Sequence, residues 1–218
     1  MTWLLLNLAC TRAPIEDRWS HGSITQIKDV FTSAFVLETS EGWIVIDTGF
    51  NAESKPIANF LEEQSANLTD IQTMLFTHGH TDHIGGYENF PNATFHVHEN
   101  DKSMLTAIGA SNIETFTEGA EFTFGDSTIR VFEVPGHTEG NVAMLIDDVL
   151  IMGDSAMSTK KGEVLPTESK YTEDLELAAT SLKALPAKLE PYRDDIAWIV
   201  FSHSGPIQGA DALFELAE

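Results

Sequence analysis

The chain has 218 residues, 42% of them hydrophobic, enough for one globular domain with a sizeable core. Its 12 Lys and Arg stand against 34 Asp and Glu, a formal charge of -22. That balance argues against a nucleic-acid surface, which needs cationic side chains, and fits a heavily solvated acidic exterior. The one cysteine excludes an intrachain disulfide and a recurring thiolate metal ligand.

That cysteine, Cys10, closes an apolar run beginning at Trp3 and is followed by a polar stretch through Asp17. Residues 1–18 resemble the tail of a bacterial lipoprotein signal, although no basic residue precedes the run and Asn7 interrupts it. On this reading the folded domain covers 19–218, and membrane contact arises only through a lipidated Cys10. The location is periplasmic or membrane-anchored if the leader is real and cytoplasmic otherwise. No other run is long enough to span a bilayer.

From Ser23 to Ile27, Ala34 to Thr39 and Gly42 to Ile46, β-branched and aromatic runs alternate with turn residues, predicting an antiparallel meander. The third run ends in Asp47-Thr48-Gly49. Glu53 to Gln64 reads as a helix capped by Ser54, with Pro56 in its first turn and Ile57, Phe60 and Leu61 on one face. Ile71 to Phe76 is a buried strand that delivers Thr77-His78-Gly79-His80-Thr81-Asp82-His83-Ile84-Gly85-Gly86. In a loosely turned segment His78 and His80 point to the same side and can reach one cation. Asp82 and His83 can reach a second, because the glycines let the backbone fold closely around them. So many ligand-type side chains together would be costly to desolvate without a metal.

Farther on, Thr94 to His98 alternates, so His96 and His98 share one face of a strand and are read as structural. Asn100 to Ile108 suggests a short helix. Glu121 to Phe124, Thr128 to Val134 and Val142 to Ile146 return to strand pattern. Pro135-Gly136-His137-Thr138 forms a tight loop around one histidine, and the run Val149 to Met152 leads into Gly153-Asp154-Ser155. Thr172 to Leu185 reads as a helix capped by Thr172 and ended by Pro186. The apolar strand Ile196 to Phe201 presents Ser202-His203, and Ala210 to Ala217 is a last short helix.

The segment Thr77 to Gly86, with the Asp47-Thr48-Gly49 turn, the Pro-Gly-His-Thr loop, Asp154 and His203, resembles the metallo-β-lactamase-fold metallohydrolases. The resemblance implies an α/β (α+β) fold, the four-layer αββα sandwich, with a site along one edge. It implies one metal held by His78, His80 and His137, another by Asp82, His83 and His203, with Asp154 bridging and Asp47 orienting ligands from behind. Two zinc ions would then supply a bridging hydroxide to hydrolyse a small ester, lactone, thioester or amide, with Asp82 handling the proton. A metallo-β-lactamase proper stays open. Glyoxalase II is less expected, because that family carries a further basic helical region and this chain stops just after His203. The alternative from another class is a mononuclear iron oxidoreductase resembling persulfide dioxygenase.

Overall fold

The computed structural model describes residues 11–167 and 169–217. Cys10 and the apolar run before it lie outside them. Strands β1 (Ser20–His21), β2 (Ile24–Asp29), β3 (Thr32–Thr39) and β4 (Gly42–Ile46) form the expected antiparallel meander. Helix α1 (Lys55–Glu63) crosses to β5 (Thr73–Leu75), which lies parallel to β4. The short helix α2 (Thr81–Ile84), strand β6 (Thr94–His98), helix α3 (Lys102–Ala107) and strand β7 (Ile113–Phe116) complete a seven-stranded mixed sheet in sequence order.

The chain then builds a second sheet from β8 (Glu121–Phe124), β9 (Ser127–Glu133), β10 (Val142–Ile146) and β11 (Val149–Ile151). A small hairpin of β12 (Ala156–Ser158) and β13 (Val164–Pro166) follows, then helix α4 (Leu175–Leu189). Strand β14 (Trp198–Val200) joins parallel to β11, β15 (Ile207–Gln208) borders it, and α5 (Asp211–Phe214) follows. The second sheet is also mixed, in the order β15-β14-β11-β10-β9-β8.

Strand periodicity sorts the apolar side chains into layers. Phe35, Leu37, Ile44 and Ile46 face Ile129, Val131, Met144 and Ile151 between the sheets. Their sequence neighbours Val36 and Val45 turn outward onto Ile57 and Leu61 of α1. On the other sheet, Leu145 and Leu150 pack on Leu182, Leu185 and Leu189 of α4. Both faces of each sheet are therefore covered, which is why these strands read as continuous apolar runs and why the architecture is αββα. No helix of the described residues is long and apolar enough to cross a membrane.

Several local expectations need correction. Ser54 stands at the start of α1 at φ 48 and caps nothing; its hydroxyl donates instead to the Gly86 carbonyl at 3.3 Å. The cap of α4 is Asp174, whose carboxylate accepts from the Leu177 N–H at 2.9 Å. Pro186 does not end α4, which runs on to Leu189. A proline inside a helix costs about 3 kcal/mol. Beyond it Leu189 is fully buried, and Pro186 itself is buried. Burying Leu189 contributes about 1.5–3 kcal/mol, the same order as the loss. The β12–β13 hairpin was not expected, its strands being too short to show a period.

Within the segment 1–18, residues 12 and 13 make backbone contacts with the β12–β13 hairpin and with the loop after β14. The Ala13 N–H donates to Ser158 at 3.0 Å, the Gly205 N–H donates to Ala13 at 3.2 Å, and Arg12 bridges to Thr159.

Candidate metal centre

Strand ends supply the candidate ligands. Asp47 follows β4, His78 and His80 follow β5, His137 follows β9, Asp154 follows β11, and His203 follows β14, while α2 carries Asp82 and His83. Strands β4 and β5 are parallel, as are β11 and β14, so their carboxyl ends open onto the same edge of the sandwich.

The ligand atoms of His78, His80 and His137 converge: His80 Nδ1 lies 3.2 Å from His78 Nε2 and 2.9 Å from His137 Nε2. A second convergence joins Asp82, His83 and His203, with Asp82 Oδ2 lying 3.7 Å from His83 Nε2 and 3.4 Å from His203 Nε2. Asp154 lies between them. One of its oxygens is 3.5 Å from His83 Nε2, and the other is 3.3 Å from His137 Nε2 and 3.0 Å from His203 Nε2. The seven side chains singled out as ligands thus meet in one place.

Their ionisation differs by position. Burial holds His78 well below the ordinary imidazole value, and burial brings His137 down to about 4 although Asp154 opposes it. For His83 burial also opposes protonation, but Asp154 and Asp47 outweigh it and carry the pKa up to about 9. Burial likewise opposes a proton on His203, and Asp154 again outweighs it. Burial works against an ionised Asp154, yet His203 and His83 keep it well below the carboxylate range. His78 and His137 are thus pushed toward the neutral imidazole that a cation requires, and His83 and His203 toward the protonated form.

Two buried atoms test whether a metal fits. His83 Nε2 and Asp154 Oδ1 have no hydrogen-bond partner among the described residues. Leaving such groups unpaired costs about 1–3 kcal/mol each, more when charged. A cation between them satisfies both. With nitrogen and carboxylate donors only, the arrangement is consistent with a dinuclear metal site.

Behind the ligands, fully buried Asp47 accepts from the Thr77 N–H at 2.8 Å and the Thr77 hydroxyl at 2.7 Å, and its Oδ2 lies 2.8 Å from His83 Nδ1. This pairing fixes which nitrogen of His83 faces the cluster. On the far side, His203 Nδ1 lies 2.7 Å from the Phe31 carbonyl, and His137 Nδ1 lies 3.2 Å from Thr172 Oγ1. Thr172, read from the sequence as a helix cap, instead sits against a candidate ligand.

Asp101 escaped the sequence reading altogether. Its carboxylate accepts from the Gly79 N–H at 2.8 Å, the Thr138 hydroxyl at 2.7 Å and the Gly140 N–H at 2.8 Å. It thereby clamps the loop of His78 and His80 to the loop of His137. Nothing in the local pattern marks it, because the donors come from distant loops. Asp101→Asn should keep the fold and weaken metal affinity about 10–100-fold, the usual effect of losing an outer partner; chelator competition measures it, and unchanged affinity removes the clamp from the account.

His96 and His98 stay outside the cluster. His98 Nε2 lies 2.7 Å from Glu133 Oε1, and His96 packs edge-on against Phe122.

A cavity of about 480 Å³ opens over the cluster, lined by His80, Asp82, His137, Asp154 and His203 on one side. Arg12, Phe31, Phe50, Met157 and Tyr171 line the remainder.

Known proteins share this arrangement of chain. The profile of the metallo-beta-lactamase superfamily matches residues 27–203. Hydroxyacylglutathione hydrolase 1 of Vibrio vulnificus is 34% identical over 186 residues, 83% of this chain and 66% of the relative. Hydroxyacylglutathione hydrolase of Shewanella sp. strain ANA-3 is 28% identical over 181 residues, 78% of this chain and 63% of the relative. The chain thus spans somewhat less than two thirds of these relatives. A metallo-beta-lactamase from Pontibacter korlensis superposes with a TM-score of 0.73 at 19% identity, covering 93% of this chain and 97% of that one.

Proposed function

Because the chain belongs to the metallo-beta-lactamase superfamily, we propose that it is a two-zinc hydrolase of small acyl compounds, with thioesters the first substrate class to try. The observation that carries this reading is the pair of adjoining ligand groups with Asp154 between them, lining one cavity. An iron centre built on one group alone leaves Asp82, His83 and His203 without employment, although their ligand atoms lie within 4.8 Å of one another. The 34% identity to a hydroxyacylglutathione hydrolase favours a thioester over the other acyl classes and returns the glyoxalase II type to consideration. The structures resembling this chain at 19% identity support its fold alone.

Divalent cations bound here supply Lewis acidity toward the carbonyl and lower the pKa of water. The chain's own residues do the rest. Asp47 and the Phe31 carbonyl orient His83 and His203, and the aromatic rim shields the cleft. Asp82, facing the cavity, accepts a proton from the attacking water and returns it to the departing thiolate or alkoxide. Water's oxygen joins the acyl carbon, the C–S or C–O bond breaks, and acid and thiol or alcohol leave.

A panel of thioesters, esters, lactones and β-lactams offered to zinc-loaded protein tests the reading. Turnover of at least one acyl class is expected. A fully metallated protein inert toward the whole panel would refute the hydrolase.

A further inference from the structure

We propose that Phe31 and Phe50 form a shelf for a ring-sized apolar group of the substrate, so that the site takes acyl compounds with an aromatic or branched side group beside the scissile bond; this rests on the hydrolase reading above. The first observation is a turn built from unusual residues. Strands β2 and β3 pair through Asp29 and Thr32, so Val30 and Phe31 alone make the hairpin turn. Such turns ordinarily use Gly, Asn or Asp, because a positive φ is cheap only without a branched Cβ. Here Val30 holds φ 59, and the two side chains stand 67% and 47% exposed. A β-branched residue so placed costs about 1–3 kcal/mol, and strain of that size kept beside a site points to a use.

The second observation is what the turn holds. The Phe31 carbonyl lies 2.7 Å from His203 Nδ1, and the Phe31 ring stacks on the His203 imidazole with 5.8 Å between centres and 10° between planes. The backbone thus fixes a candidate ligand while the side chain lines the cavity. Any residue could supply that carbonyl, so the aromatic ring needs a reason of its own.

The third observation supplies it. Phe50 comes from a separate segment, three residues after Asp47, and its ring lies 4.8 Å from that of Phe31. It lines the same cavity and is 52% exposed. Two large aromatic faces brought together from separate segments and left in water, at a cleft of small-molecule size, are a contact surface for an apolar group. A ring laid on the pair sits beside His203, within a short linker of the ligand cluster.

Binding tests this without relying on turnover. The probes share one metal-binding head, acetohydroxamate and 3-phenylpropionohydroxamate, and are titrated into zinc-loaded protein by calorimetry. Wild type should bind the phenyl probe at least about tenfold tighter, no more than burial of one ring supplies. Phe31→Ala and Phe50→Ala should each lower that ratio about threefold, and the double variant should erase it. Acetohydroxamate affinity, zinc content and melting temperature should stay as in wild type, and Phe31→Leu should keep most of the preference. A wild type without the preference overturns the proposal, as does a preference that survives in the double variant. An equal loss for both probes also overturns it, because Phe31 then acts only by holding His203. A preference erased by the double variant upholds the shelf even where no acyl compound is cleaved, and cleavage by a protein without the preference refutes the shelf alone, so the two readings fail separately.

Discussion

Asp154→Ala is expected to leave a folded protein that has lost most of its metal and, with it, a factor on the order of 10³ or more in hydrolysis, about 4 kcal/mol of transition-state stabilisation. The size follows from position. Among the described residues, Asp154 is the carboxylate that reaches both ligand groups, with one oxygen toward His83 and the other toward His137 and His203. Its removal takes away the one negative charge that two cations would share and leaves each of them a donor short. Asp154→Asn keeps the shape and one carbonyl oxygen, so it separates charge from packing. Melting with and without zinc provides a readout that needs no substrate. Ligand at 100 times its Kd adds about 2.7 kcal/mol to wild-type stability, and the variants should gain much less. An Asp154→Ala protein with undiminished zinc content and zinc-induced stabilisation contradicts the assignment.

Gly136→Ala should produce the largest loss of stability among single substitutions near the site. Gly136 has φ +128, and an added Cβ would fall 2.2 Å from the Ala178 backbone nitrogen and 2.4 Å from its Cα. Neither can step aside, because Ala178 belongs to the first turns of α4 and its N–H donates to Asp174 at 2.9 Å. A cost of about 4 kcal/mol or more is expected, in the exceptional range for a point substitution. That lowers the melting temperature of a domain of this size by roughly 10 °C. Gly119 is the control: it also has positive φ, +74, but nothing lies within 4 Å of the added Cβ. Gly119→Ala should cost only about 1–3 kcal/mol of backbone strain. Equal melting shifts for the two variants would show that the close approach to α4 has been misjudged.

Much of this was readable in advance, for identifiable reasons. Buried strands such as Val142–Ile146 were placed to the residue because both faces are covered and the apolar run has sharp ends. The candidate ligands were readable because they cluster in Thr77 to Gly86 or follow an apolar strand directly, as Asp154 and His203 do. What the sequence hid depends on contacts between distant segments. Asp101 is an ordinary acid in a helical stretch until Gly79, Thr138 and Gly140 fold around it. Thr172 and Asp174 are equally good caps on propensity, and only the demand of His137 for a partner at Nδ1 separates them. Pro186 was misread because the rule that proline stops a helix ignores how much apolar surface lies beyond. Arg12 lines the cavity but fell within a segment that looked like a leader, and the hydrogen bonds of its neighbour Ala13 to Ser158 and Gly205 join segments far apart in sequence.

The central claim is a centre for two cations built from His78, His80, His137, Asp82, His83, His203 and the shared Asp154. Elemental analysis of protein purified without chelator tests it most directly. The account predicts about two zinc per chain, the number two adjoining ligand groups call for. About one iron per chain, with no second cation taken up on adding zinc, would contradict it.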